Sequence, residues 1–291
     1  MALPPRNPSS QTRPAPVRVA LLDLYDGQAN QGMGALRALL ADVDGRYGRP
    51  VQVETFDVRG AAHLPDLAYD IYISSGGPGG PFVGEGTTWD TRYAEWLRAL
   101  RAHNEDAPPA EQTPALFICY SFQLLCRHLG LGAVTKRSTQ SFGVVPVCPT
   151  GAGRTDPLLR GLPDPFWAAD FRWWQVTRPD RHRLAALGGT ILARETPAGA
   201  DDPADRAVMG VRLASGLIGV QFHPEADPDG MLAHFRRPER RAQVIEQFGE
   251  AKYERLLRRL DEMDALRRTH ATVVPAFLRR AIEGPPAAVP A

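Results

Sequence analysis

The sequence predicts an α/β fold: an open, mostly parallel sheet with flanking helices, antiparallel strands late in the chain, and a C-terminal helical extension. Three observations carry this reading. Residues 17–24, 71–75 and 115–119 are short runs that are almost wholly apolar, as strands buried on both faces of a parallel sheet must be. Helical periodicity follows two of them, with Trp89, Tyr93, Trp96, Leu97 and Leu100 on one face and Phe122, Leu124, Leu125, His128 and Leu129 after the third run. From residue 142 onward, β-branched runs broken by polar turns replace this rhythm, as expected of antiparallel strands.

Taken in order, the composition of residues 1–16, with Pro4, Pro5, Pro8, Pro14 and Pro16 among polar residues, predicts a disordered arm. A first buried strand covers 17–24. The polar, Gly-rich segment 25–34 then leads into a helix at 33–41; it reads as a βα connection or as an anion or partner contact, and it lacks the lysine of a phosphate loop. Strands are expected at 51–58 and 71–75, an amphipathic helix with core aromatics at 88–102, and a charged loop at 103–113. A strand at 115–119 and a helix at 121–130 come next, then strands at 142–147, 171–176, 190–194, 207–213 and 217–222. Beyond residue 235 the chain becomes Arg/Glu-rich with apolar residues at helical spacing, so 236–260 and 272–282 are expected as helices laid on the domain or against a partner. The organisation is thus an arm at 1–16, a domain at 17–235, a helical extension at 236–283 and a tail at 284–291.

Composition excludes several function classes. With 34 basic and 33 acidic residues the net charge is +1, which gives no reason to expect nucleic acid or an anionic membrane as partner. At 43% hydrophobic, the 291 residues suffice for a full core. Three cysteines make no disulfide framework, no apolar run is long enough to span a membrane, and residues 1–6 lack the apolar core of a signal peptide. The cytoplasm is the expected compartment, and no metal or cofactor is expected.

Three stretches carry chemistry. Ala115-Leu116-Phe117-Ile118-Cys119 runs straight into a helix, so the Cys119 thiol would stand on a strand-to-helix elbow at the positive end of a helix, where a thiolate is stabilised. Free cysteine is also among the most buried residue types, so taken alone Cys119 reads more readily as core. Ser75-Gly76-Gly77-Pro78-Gly79-Gly80-Pro81 ends another strand, and its glycines let backbone N–H groups face a concave site. Gly219-Val220-Gln221-Phe222-His223-Pro224-Glu225 ends a third strand in a histidine with a carboxylate two residues on. A cysteine, a Gly-Pro loop and a His-x-Glu, each at its own strand end, suit a Cys–His–Glu hydrolase.

In this order the three stretches resemble the class I, triad-type glutamine amidotransferase family, and in particular the amidotransferase domain of GMP synthetases, whose first strand and loop Leu22-Asp23-Leu24-Tyr25 is similar to. The segments Leu131-Gly132-Ala133-Val134 and 156–163 also look like family segments. The resemblance implies Cys119 as nucleophile, His223 as base, Glu225 as its orienting carboxylate, and an oxyanion hole from the N–H groups of Gly77 and Tyr120. It further implies that Gln123, with Trp174 and Gln175, binds the amino-acid end of the substrate. The implied activity is hydrolysis of the glutamine side-chain amide through a γ-glutamyl thioester, with ammonia passed to a separate synthetase. A stand-alone γ-glutamyl hydrolase and a non-catalytic regulatory subunit are the alternatives. Two elbow positions where the family has glycine hold Phe117 and Ser121 here. Strand alternation puts Phe117 on the face of Cys119, where its ring would crowd the thiol.

Overall fold

The computed structural model describes residues 15–109, 111–197, 202–261 and 264–284. Most of the predicted arm and tail (1–14 and 285–291) lies outside the described residues. The elements in the first half are β1 (Val17–Asp23), α1 (Gly32–Ala41), α2 (Val43–Tyr47), β2 (Val51–Asp57), α3 (Val58–Ala61), β3 (Ile71–Ser74), α4 (Thr88–Asp106), β4 (Ala115–Ile118) and α5 (Tyr120–Leu129). After these come β5 (Ala133–Pro149), α6 (Gly151–Thr155), β6 (Phe166–Thr177), α7 (Arg181–Ala186), β7 (Thr190–Glu195), β8 (Val208–Arg212) and β9 (Leu217–Val220). Four helices close the chain: α8 (Pro228–Phe235), α9 (Pro238–Phe248), α10 (Glu250–Asp261) and α11 (Asp264–Glu283).

One nine-stranded sheet runs in the order β2-β1-β3-β4-β9-β8-β7-β5-β6. The ladders from β2 to β9 are parallel, and those from β9 to β6 are antiparallel. The α/β class with late antiparallel strands is therefore as the sequence predicts. The apolar runs are buried on both faces for the reason given above. Val19, Leu21, Leu116 and Ile118 join the core under α1, while Ala20, Leu22, Ala115 and Phe117 join the core under α4 and α5. Strands β5 and β6 are longer than their hydrophobic patterning suggests. Their extra residues, such as Thr135 and Lys136, pair with Gln175 and Trp174 across a register shift and carry no apolar alternation to announce them.

The C-terminal helices divide between two tasks. Helices α8 to α10 cover β5 and β6, with Met231, Phe235, Val244, Tyr253, Leu256 and Leu260 buried against Val144 and Ala169, and Phe142 stacked on Phe248 at 4.3 Å. Helix α11 instead crosses to the main core, where Val273, Val274, Phe277 and Leu278 are buried and the helix packs on β6 and α2. Burying four such side chains contributes on the order of 6–12 kcal/mol before entropy is counted. Among the described residues no helix is long and apolar enough to cross a membrane.

Candidate active site

Strand β4 delivers Cys119 to the centre of the sheet's carboxyl edge. Its N–H donates to the Val220 carbonyl of β9 at 2.8 Å, and its own carbonyl accepts from Gln123 N–H at 3.1 Å as α5 begins. To make this turn Cys119 adopts φ 49° and ψ −96°, a conformation that costs a non-glycine residue about 1–3 kcal/mol. Ser121 braces the turn from below. Its hydroxyl donates to the Ser74 carbonyl of β3 at 2.7 Å and accepts from Ile118 N–H at 2.7 Å, so the residue in place of glycine ties β3, β4 and α5 together.

The expectation for Phe117 is overturned by the same turn. Along β4, Ala115 and Phe117 face one layer while Leu116 and Ile118 face the other. Strict alternation would return Cys119 to the Phe117 side. The left-handed backbone at Cys119 sends its side chain to the Ile118 side instead. Phe117 packs on Trp96 of α4 at 6.2 Å between ring centroids and does not crowd the thiol.

His223 and Glu225 follow β9. His223 N–H donates to the Ala169 carbonyl of β6 at 2.9 Å, fixing the backbone, and Nδ1 pairs with Glu225 Oε1 at 2.8 Å. With Nδ1 so engaged, Nε2 is the nitrogen left to serve Cys119, whose charge acts on the ring. Burial acts to lower the His223 pKa, but the charges of Glu225 and Cys119 and the hydrogen bond to Glu225 outweigh it. The imidazole is held protonated well above its ordinary value of 6.5. Glu225 is 1% exposed, and its Oε2 is buried with no hydrogen-bond partner.

The Gly-Pro loop passes over this pair. A Cβ at Gly76 would lie 2.9 Å from His223 Cε1, and one at Gly77 would collide with the Leu24 carbonyl, so the loop can approach this closely only as glycine. Arginines hold it on two sides. Arg59 donates to the carbonyls of Leu24 at 3.3 Å and Pro78 at 2.7 Å, and Arg127 of α5 donates to the Pro81 carbonyl while pairing with buried Asp90. Tyr120 opens α5 with its N–H in the unpaired first turn, and its hydroxyl reaches the Gly80 carbonyl at 3.4 Å.

The three residues implied for the amino-acid end are each held by contacts of their own. Gln123 Nε2 donates to the Trp174 carbonyl at 3.1 Å and to Gln221 Oε1 at 3.3 Å. The Trp174 indole fills the space over Gly80 that a Cβ would need, and Gln175 accepts from Arg137 at 2.6 Å. A cavity of about 1210 Å3 opens on Cys119, His223 and Glu225, with Gly77 and Pro78 in its wall, and Gln123, Trp174 and Gln175 take no part in lining it.

Two residues that sequence reasoning missed join the site. Gln221, 0% exposed, donates through Nε2 to Cys119 Sγ at 3.7 Å. A polar residue between Val220 and Phe222 in a buried strand was the available signal. Tyr25 lies over the His–Glu pair: a Cβ at Gly32 would collide with its hydroxyl and lie 3.2 Å from Glu225 Oε1. Burial, then the charges of Glu225 and Cys119, raise the Tyr25 pKa, so its hydroxyl stays a donor.

The α/β sheet thus sets a cysteine on a strand-to-helix elbow, under a glycine loop and near a His–Glu pair. The class-I glutamine amidotransferase family matches residues 38–235, more than half of the chain, and the chain belongs to that family. It is similar to a glutamine amidotransferase from Thermotoga maritima at 16% identity and TM-score 0.63, covering 92% of this chain and 99% of that one. A glutamine amido transferase from Methylobacillus flagellatus is similar at 17% identity and TM-score 0.60, covering 91% and 94%. The glutaminase domain of Trypanosoma brucei CTPS, solved with bound acivicin, is similar at 14% identity and TM-score 0.53, covering 85% and 95%. At these identities the likeness is one of fold.

Proposed function

We propose that this amidotransferase hydrolyses the side-chain amide of glutamine through Cys119 and passes the ammonia to a separate synthetase in the cytoplasm. The observation that carries the reading is the left-handed turn at Cys119, which turns the thiol into the cavity shared with His223 and Glu225. In this scheme the sulfur attacks the amide carbon and the developing oxyanion is met by N–H groups of Gly77 and Tyr120. His223 carries the proton to the leaving nitrogen as the C–N bond breaks. Water then cleaves the thioester, releasing glutamate and restoring the thiol. Glu225 holds the imidazole tautomer and offsets its charge, and Gln221 steadies the sulfur. Residues 17–235 would carry the reaction and 236–283 would wall the cavity.

The cavity volume favours a second reading, a γ-glutamyl hydrolase whose leaving amine is larger than ammonia. Purified protein assayed with glutamine and with γ-glutamyl amines separates the two, and Cys119→Ala is expected to lose at least about a thousandfold in turnover with either. Retention of a tenth of the activity would remove Cys119 from the nucleophile's role. No turnover of any amide by the wild type would leave the regulatory reading.

A further inference from the structure

Glutamine releases only ammonia, yet the cavity at Cys119, about 1210 Å3, exceeds the roughly 300–1,000 Å3 common for small-molecule sites. Past His223 and Glu225 it runs between the Gln28 to Ala38 segment and helices α8, α9 and α11, where Arg237, Arg240, His234 and His270 line it. The leaving nitrogen takes its proton from His223 in the proposed reaction, so it stands on the histidine's side of the scissile carbonyl. Whatever that nitrogen carries extends into this arm.

The cavity wall carries three carboxylates and three guanidinium groups, but they are not all paired with one another. Of the acids on its wall, Asp42 pairs with Arg46, and Asp227 accepts from the N–H groups of Asp229 and Gly230 as the cap of α8. Glu225 is bound to His223. Arg236 pairs with Asp261 at 3.7 Å and Arg241 with Glu250 at 3.1 Å, but both lie off the wall. Arg237 and Arg240, which do line it, pair with no carboxylate among the described residues; Arg240 donates only to the neutral Gln243 Oε1 at 2.9 Å. Glu239, in the same turn of α9, is exposed and off the wall. His234 and His270 also line the arm, and the Nδ1 of each is buried with no hydrogen-bond partner. Burial, then Arg240 and Arg237, lower the His234 pKa, which places both guanidinium groups within electrostatic reach of that ring. Two unpaired guanidinium groups in one arm of the cavity, with His234 and His270 beside them, match an oxyanion.

Resting on the reading of Cys119 as nucleophile, we propose that this arm binds a carboxylate or phosphate borne by the amine half of a γ-glutamyl amide. Arg237 and Arg240 supply the charge, and His234 and His270 lie beside them in the same arm. The C–N bond that breaks is the same one as in glutamine, and the amine leaves with the proton from His223. No further reactant is needed beyond water.

The test compares kcat/KM for γ-glutamylglycine and γ-glutamyl-2-aminoethyl phosphate with that for the uncharged γ-glutamylethylamine. A preference of about tenfold or more for the charged pair is expected, the scale of one charge-assisted contact. In the Arg237→Ala/Arg240→Ala protein the ratio should fall towards one, and Arg240→Glu should invert it. The ratio is the readout, with the uncharged amide as internal reference and a thermal melt to verify folding. Independently, inorganic phosphate titrated into the wild type should shift the imidazole NMR signals of His234 and His270, and should not do so in the double variant. A ratio near one without phosphate binding overturns the proposal. A ratio near one with phosphate binding overturns the amine-borne assignment and puts the anion on a separate acceptor molecule. Cleavage of no amide, glutamine included, refutes the nucleophile reading instead, and the titration then still decides whether the anion site exists.

Discussion

Replacing Glu225 by glutamine tests how the His223 imidazole is held. The substitution keeps an oxygen for Nδ1 at the 2.8 Å position but removes the negative charge. It also puts an NH2 group where Oε2 now stands, buried and without a partner. A charge-assisted hydrogen bond contributes about 1.5–3 kcal/mol, so about ten- to a hundredfold in kcat/KM should be lost.

The pH dependence carries the sharper test. With Glu225 neutralised, burial acts on His223 against the Cys119 contribution alone, so the imidazole should release its proton at lower pH than in the wild type. In the wild type the raised His223 value means that its contribution to stability is complete below the unfolded value near 6.5 and fades as pH rises through the folded one. The gap in stability between wild type and Glu225→Gln should therefore be widest in mild acid and close on the alkaline side. Imidazole NMR titration and urea midpoints across pH measure the two effects. Superimposable His223 titrations in the two proteins would refute the electrostatic account of the pair.

Ser121→Ala should cost about 1–3 kcal/mol in urea denaturation, because it strands the Ile118 N–H and the Ser74 carbonyl in the core. Phe117→Ala should lose about 3–5 kcal/mol of stability yet leave KM for the amide unchanged, since the ring faces Trp96; a markedly lower KM would restore the crowding idea. Gln221→Leu, similar in volume, should slow alkylation of Cys119 by iodoacetamide at fixed pH by about tenfold through loss of the donor to sulfur.

What could be read from the sequence depended on whether the determinant was local. The β4–α5 elbow was legible because a buried run and a helical period meet at Cys119, and the His223–Glu225 pair because both lie in one turn. Phe117 was misread because alternation holds only while the backbone stays extended, and one residue at φ 49° reverses it. Gln221 meets Cys119 across 102 positions, and Tyr25 reaches Glu225 through space that Gly32 leaves open, so neither contact has a local trace. Gln123 shows the opposite case: its place after the elbow is as the family resemblance implies, while its amide is engaged by Trp174 and Gln221.

The C-terminal segment extends this point from contacts to architecture. Its Arg/Glu-rich composition suggests an appendage, yet His270, Val273, Val274 and Phe277 fall at i, i+3, i+4 and i+7, one face of α11. The three apolar members are buried in the main core at 0–2% exposure, and His270, first on that face, lines the cavity that reaches Cys119. Thr269, beside it, donates to the Trp167 carbonyl of β6 at 2.7 Å, and Tyr47 of α2 donates to the Pro275 carbonyl at 3.3 Å. The helix is thus pinned from both sides of the cavity floor, and the packing that stabilises the sheet also sets the position of His270. A chain ending before residue 264 would remove His270 from the cavity wall and uncover the core that α11 shares with α2 and β6, because the same helix face serves both.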